Sequence, residues 1–296
     1  MNLIVGATGL VGGDICRRLA AKHKPVRAMI RPTGDPSRIE ELRKAGTELV
    51  TGDLKDLGSI QVSCAGATAV LSTASSTLSR QPGDTVDGVD RLGQLQLVEA
   101  ARAAGVKHFV YVSFSPMPGD FALQRAKREV EEAIIASGMT YTILRPTFFM
   151  EVWLSPTLGF DAAAHRARIL GAGENPISWI SFPNVAEFAV RSLETPAAHN
   201  RTLTLGGPEA LSPLEVVRIF EELGGTPFEL EYVLESVLRA GKDSARRALD
   251  EAFASLSLAY AHGDVIDMRG VLEVMPVRLV SVREYAKWLL SESAAG

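Results

Sequence analysis

Leu3-Ile4-Val5-Gly6-Ala7-Thr8-Gly9-Leu10-Val11-Gly12 is the stretch that decides the fold. A short apolar run meets glycines at positions 6, 9 and 12, and the residues beyond, Ile15, Leu19 and Ala20, recur with helical period. Strand, tight turn and helix in that order open a parallel α/β unit. In such a turn the first glycine permits the bend, the second lets backbone approach an anion, and the third lets the helix pack close to the strand. The helix then offers unpaired N–H groups and the positive end of its dipole. Gly6, Thr8, Gly9, Leu10, Val11 and Gly12 are therefore read as holding the diphosphate of a dinucleotide; the competing reading is a purely structural turn.

Outward from this turn, the same alternation repeats. Short β-branched runs stand at Leu3 to Val5, Val26 to Ile30, Glu48 to Thr51, Ala69 to Ser72, His108 to Val112, Thr140 to Leu144 and Thr202 to Leu205. Segments of largely helical pattern separate the first six, around 10–22, 37–45, 57–63, 88–104 and 121–137. Strict alternation predicts an α/β, Rossmann-like, doubly wound parallel sheet with helices on both faces, whose ligand lies beyond the carboxyl ends of the strands. After Pro146 the pattern loosens. Phe148, Phe149, Trp153, Leu154 and Pro156 lead into a polar, helix-like stretch containing His165, and the aromatic and turn residues there are read as a pocket wall or lid. The turn-rich Gly171 to Pro176 is followed by a helix over Val185 to Leu193, and further helices are expected near 212–223, 244–258 and 281–291. The expected division is a nucleotide-binding domain over 1–150, to which 182–206 returns, interleaved with a smaller substrate lobe made of 151–181 and 207–296.

The 296 residues are 46% apolar and 22% charged, which sets aside disordered, collagen-like and coiled-coil classes. With 31 Lys plus Arg against 35 Asp plus Glu, the formal charge of -4 lacks the basic excess that a nucleic-acid partner requires. Cys16 and Cys64 sit in apolar contexts with no CxxC or Cys/His cluster, so no metal site is expected and a reducing compartment fits. The opening Met1 to Gly6 has no basic region and reads as a buried strand rather than a signal peptide, and no apolar stretch approaches a bilayer span. A cytoplasmic protein with no membrane partner is the expectation.

The second strand selects the nucleotide. Sites preferring NAD(H) place Asp or Glu near its end to hold the ribose hydroxyls. Here Val26-Arg27-Ala28-Met29-Ile30-Arg31-Pro32 has no acid, and Arg31 falls 19 residues past Gly12, where a guanidinium pairs with a 2′-phosphate. NADP(H) is favoured over NAD(H); Arg27 and Lys44 are further cations that would assist, and the plain alternative is a solvated strand-end charge. Asp53 and Leu54 follow the third strand, where the Asp accepts from an adenine amino group or caps the next turn. Thr73, Ala74 and Ser75 follow the fourth, small enough for the cofactor to pass closely.

Taken together, Gly6 to Gly12, Val26 to Arg31, Gly52-Asp53-Leu54, His108-Phe109-Val110-Tyr111-Val112-Ser113 and Thr140 to Pro146 resemble the NmrA-like family of atypical short-chain dehydrogenases, which includes isoflavone reductase-like enzymes and NAD(P)H quinone oxidoreductases. The resemblance covers roughly residues 1–210, with further likeness at Gly171 to Asn175, Asn184-Val185-Ala186 and Leu203 to Pro208. It implies a Rossmann-like fold binding NADPH, and either a reductase or a redox-sensing regulator without chemistry.

Typical short-chain dehydrogenases use Tyr-x-x-x-Lys, in which the Lys lowers the pKa of a proton-donating Tyr. None of Tyr111, Tyr141, Tyr232, Tyr260 and Tyr285 has Lys four residues on. Lys127 falls where the family's Lys does, with Leu123 in the tyrosine's place. The resemblance implies that Lys127 orients the nicotinamide ribose and supplies the proton, water being the other proton source when a quinone is reduced; the alternative is a surface cation paired with Glu131 at i,i+4. It implies likewise that Ser113 or Ser115, flanking Phe114, touches a substrate carbonyl, and that Pro146, Thr147, Phe148 and Phe149 wall the nicotinamide pocket, core packing being the alternative for the two phenylalanines. Trp153 and His165 complete the expected substrate pocket, although a single His in a polar segment is more often solvated. His108, at the start of a strand, is read as structural.

These residues point to an NADPH-dependent reductase delivering hydride to a quinone or conjugated carbonyl. The alternatives are a non-catalytic NADP(H) sensor contacting a protein partner, and an isomerase or epimerase with retained NAD(P). A homodimer is compatible with all three.

Overall fold

The computed structural model describes residues 1–79 and 81–295. The chain runs β1 (Asn2–Val5), α1 (Leu10–Ala21), β2 (Val26–Ile30), α2 (Pro36–Lys44), β3 (Glu48–Thr51), α3 (Leu57–Cys64), β4 (Ala69–Ser72), α4 (Gln94–Ala103), β5 (His108–Val112), α5 (Ala122–Ala136) and β6 (Thr140–Pro146). It continues through α6 (Met150–Trp153), β7 (Phe160–Asp161), β8 (Arg166–Leu170), α7 (Phe182–Ser192), β9 (Arg201–Leu205), α8 (Pro213–Gly224), β10 (Glu229–Val233), α9 (Glu235–Asp243), α10 (Ala248–His262), α11 (Arg269–Val274) and α12 (Val282–Ala295). The chain divides into two compact units. One holds Met1–Phe114, Asp120–Arg145 and Val185–Leu203; the other holds Ser115–Gly119, Pro146–Asn184 and Thr204–Gly296.

The main sheet has seven strands in the order β3-β2-β1-β4-β5-β6-β9. Neighbouring pairs from β3 through β6 are parallel. Every residue of β4 and β5 is buried, as strands covered on both faces must be. The sequence reversal on either side of β1 and β4 makes this a doubly wound Rossmann-like sheet with its switch point between those strands. On one side of the first unit's core, Leu3, Val5, Val70, Phe109 and Ile143 meet Leu97, Ala101, Val130 and Ile134.

The stretch expected to be one helix over 88–104 starts earlier and differently, because Val86–Gly93 winds as a π-helix before α4 begins. The wider turn carries Asp90 to a fully buried position.

In the second unit, β10, β8 and β7 form a three-stranded sheet with β8 parallel to β10 and antiparallel to β7. The helix-like reading of the stretch containing His165 is corrected here: it forms the β7–β8 hairpin. Arg166 to Leu170 alternate exposed and buried, and the reversal uses His165 at φ 51°. The helix expected near 244–258 is α10, displaced by four residues, and β10 and α9 before it were not foreseen. Glu229 to Val233 carry alternating acids that mask a strand on the edge of a small sheet.

Candidate functional site

At the glycine turn, Gly6 has φ 87°. A Cβ on Gly12 would stand 2.2 Å from the Gly6 carbonyl oxygen and 2.9 Å from Thr73 Oγ1, so only glycine allows α1 to sit this close to the end of β1. Gly9 is the N-cap of α1, no side chain caps that end, and its first turn holds no acid. Helices α2 and α3 in the same unit are capped by Asp35 and Asp56. The amino end of α1 thus keeps its amides and dipole available to an anion, which is the fit a nucleotide diphosphate requires. Gly9 is exposed, Thr8 and Leu10 are half-buried, and Val11 is buried. Arg38, absent from the sequence reading, donates to the Thr8 carbonyl at 2.9 Å and adds a cation beside the turn.

Arg31 lies at the end of β2 and donates to Asp84 at 2.6 Å. Lys55 reaches the other oxygen of Asp84 at 2.5 Å and Asp53 at 3.0 Å. Asp53 also accepts from the Lys55 amide at 2.8 Å, the turn-capping role foreseen as its alternative. Leu54 is buried in the core beside it. Arg27 and Lys44 do not join this group. Arg27 is taken by Glu48 and by the Ser63 and Ala65 carbonyls; Lys44 closes the far end of α2. Thr73, Ala74 and Ser75 are half-buried after β4, with Thr73 donating to the Val5 carbonyl at 3.3 Å.

Lys127 is 3% exposed, and its ammonium meets Asp90 at 3.2 Å and stands 5.2 Å from the centroid of the Tyr111 ring. Asp90 in turn accepts from the Ser76 amide at 3.0 Å and from the Ser76 hydroxyl. Burial works against the Lys127 charge, but the Tyr111 oxygen and the Asp90 carboxylate outweigh it and hold the ammonium above its ordinary pKa. Burial pushes the Tyr111 phenol up to about 12, opposed by Lys127. The i,i+4 partner foreseen for Lys127 is overturned, because Glu131 is claimed by Arg128 and Arg145. Arg128 also donates to Ser113 Oγ at 3.2 Å and to the Phe114 carbonyl at 2.8 Å while lying over the Phe114 ring. With a guanidinium donating to its oxygen, the Ser113 hydroxyl keeps its own proton to give.

In the second unit, Ser115 donates to Asp264, and Thr147 donates to the same carboxylate oxygen at 2.7 Å. Asp264 lies two residues past α10, 117 positions from Thr147, and no motif marks it. Pro146, which ends β6, is buried, and Phe149 is half-buried. Phe148 is 2% exposed and packs edge-on to Trp153 and Tyr260, with ring centroids 4.9 and 5.7 Å away. Its ring therefore contributes to the aromatic core of this unit. Glu151 accepts from Ser181 and from the Phe182 amide, and burial raises its pKa. His165 sits edge-on to Phe228 in the hairpin turn. Among the described residues no cluster of His, Cys, Asp and Glu forms a metal site.

The sequence profile of the NmrA-like family matches residues 2–285. This chain belongs to the NmrA-like family. It is 28% identical to NAD(P)H azoreductase from Xenophilus azovorans, over 100% of this chain and 99% of that one. It is 31% identical to (4-alkanoyl-5-oxo-2,5-dihydrofuran-3-yl)methyl phosphate reductase from Streptomyces griseus, over 84% and 80%. It is also 32% identical to the photosystem II assembly factor Ycf39 of Trieres chinensis, over 75% and 69%. Among solved structures, the NADPH complex of the Escherichia coli NADPH-dependent quinone oxidoreductase shares the fold with TM-score 0.77 at 21% identity, over 98% of this chain and 100% of that one.

Within this NmrA-like chain, sequence reasoning missed Arg38, Asp84, Asp90, Arg128 and Asp264. Asp90 alone left a trace, as an acid among the apolar positions Val86, Val89 and Leu97. The contacts of Arg38 with Thr8, Asp84 with Arg31 and Lys55, Arg128 with Ser113 and Phe114, and Asp264 with Ser115 and Thr147 form only in the folded chain.

Proposed function

We propose that this NmrA-like protein is an NADPH-dependent reductase that delivers hydride to a small apolar acceptor such as a quinone, an azo compound or a conjugated carbonyl. The observation that carries the reading is the uncapped, acid-free amino end of α1 behind a turn whose Gly12 leaves no room for a Cβ. The oxidoreductase names of relatives aligned over nearly all of both chains support it. When bound, NADPH supplies a hydride from its dihydronicotinamide ring. Gly6, Gly9 and Gly12 admit the diphosphate, the amides of Leu10, Val11 and Gly12 hold it, and Arg31 meets the 2′-phosphate. Lys127 is fixed as a cation by Asp90. Because its pKa stands above the ordinary lysine value, it is a poor acid at neutral pH, and its role is to hold the ribose and orient charge. Reduction of a quinone needs two electrons and two protons. The hydride carries both electrons and one proton, and water supplies the second.

The test is steady-state oxidation of NADPH by purified protein across a panel of quinones, azo dyes and enones. At least one class should exceed the background without enzyme by about tenfold or more, and NADPH should be preferred to NADH by a similar factor. No turnover with any class, despite tight NADPH binding, would overturn catalysis. It would leave the second reading, a nucleotide sensor. That reading is favoured by the missing Tyr-x-x-x-Lys pair and by a Lys127 that is 3% exposed.

A further inference from the structure

Arg31 is already engaged. Its guanidinium and the Lys55 ammonium hold the two oxygens of Asp84 at 2.6 and 2.5 Å, and the Ser79 hydroxyl donates to the same carboxylate. The Asp84 side chain is 3% exposed, whereas Arg31 and Lys55 are 31% and 33% exposed. A buried carboxylate gripped by two more accessible cations is the arrangement that basic side chains make around a phosphate oxygen.

We propose that Asp84 sets the discrimination between NADPH and NADH, acting as an internal anion that the 2′-phosphate must displace from Arg31 and Lys55. The proposal rests on the NADP(H) reading above. Arg31 and Lys55 bring two positive charges to this corner, while Asp53 and Asp84 bring two negative ones. A phosphate monoester with nearly two negative charges therefore meets a neutral patch until Asp84 gives way. The apparent affinity is the intrinsic one reduced by the fraction of molecules in which it has done so. A ribose with a bare hydroxyl does not compete for the guanidinium and is not penalised. Asp84 thus weakens the phosphorylated nucleotide selectively, bringing NADPH and NADH closer together than Arg31 alone would place them.

The test is fluorescence titration of wild-type, Asp84→Asn and Asp84→Ser proteins with NADPH and with NADH. The expected result is an NADPH Kd lowered about tenfold in both variants and an NADH Kd within about twofold of wild type. In an Arg31→Ala background the gain should shrink, since only the Lys55 ammonium is then left to release, and an undiminished gain there also overturns the proposal. An NADPH Kd unchanged or raised by both substitutions, or equal tightening of both nucleotides, overturns the proposal. Wild-type protein that binds neither nucleotide overturns the cofactor reading itself, and the proposal with it.

Discussion

Lys127 and Asp90 form an ion pair in which both side chains are essentially withdrawn from water, at 4% and 0% exposure. Removing one partner of such a pair leaves an uncompensated buried charge, whereas removing both charges leaves little to penalise. Lys127→Met should therefore destabilise the protein by about 3–5 kcal/mol in urea unfolding, and the double variant with Asp90→Asn should recover most of that loss. Turnover should not return with stability, because the double variant restores no cation for the ribose. Full recovery of both would show that Lys127 serves the fold alone. Arg31 gives a prediction of the opposite kind. Arg31→Asp places a carboxylate beside Asp84, and the ratio of NADPH to NADH affinity should fall about ten- to a hundred-fold in nucleotide titrations. An unmoved ratio would assign 2′-phosphate recognition elsewhere, with Arg38 the first alternative.

At the scale of elements, the turn between β1 and α1 separates two functions of glycine. A methyl on Gly12 would overlap the Gly6 carbonyl at 2.2 Å, backbone against backbone, while one on Gly9 would lie 3.2 Å from that same oxygen on an exposed position. Gly12→Ala should push α1 off β1 and cost several degrees or more of melting temperature. Gly9→Ala should leave the melting temperature within about 3 °C and weaken NADPH binding about tenfold by blocking backbone approach. Comparable thermal losses in the two would mean that the turn is only structural. The strands of the main sheet were legible in the sequence because β4 and β5 are buried on both faces and therefore read as unbroken apolar runs. Legibility fails where tertiary contact replaces pattern. The β7–β8 hairpin carries polar residues on its solvent side and turns through a left-handed His165, and β10 carries Glu229 and Glu231 opposite Arg166 and Arg168. Of the site, the strand-end positions could be read from topology. The partners of Arg31 and Lys127 could not, because Asp84 and Asp90 come from the segment after β4 and meet those cations only in the folded chain.

For the whole molecule, the informative buried titrations respond to acid with opposite signs. His108, in the first unit, donates to or accepts from Thr142 at 3.1 Å and lies 4.8 Å from the His199 ring. Burial, with His199 adding to it, pushes the His108 pKa down to about 4. Unfolded, the imidazole titrates near 6.5, so between about pH 6.5 and 4 the unfolded chain binds the extra proton. The stability this neutral ring contributes is complete above that window and is lost as pH falls through it, by at most about 3 kcal/mol. Glu151, in the second unit, has its pKa raised by burial, so the folded form holds its proton more tightly than the unfolded chain and taking up that proton favours folding there. Urea unfolding at a series of pH values should show the first unit losing stability below about pH 6.5. His108→Gln, which keeps an amide for Thr142 but cannot titrate, should flatten that loss, whereas Glu151→Gln should remove a gain. The first unit can be followed separately through Cys16 and Cys64, whose buried thiols are raised to about 12 and about 11 and stay unreactive until that unit opens. Acid sensitivity of thiol exposure identical in wild type and His108→Gln would assign the loss to the surface carboxylates rather than to the imidazole.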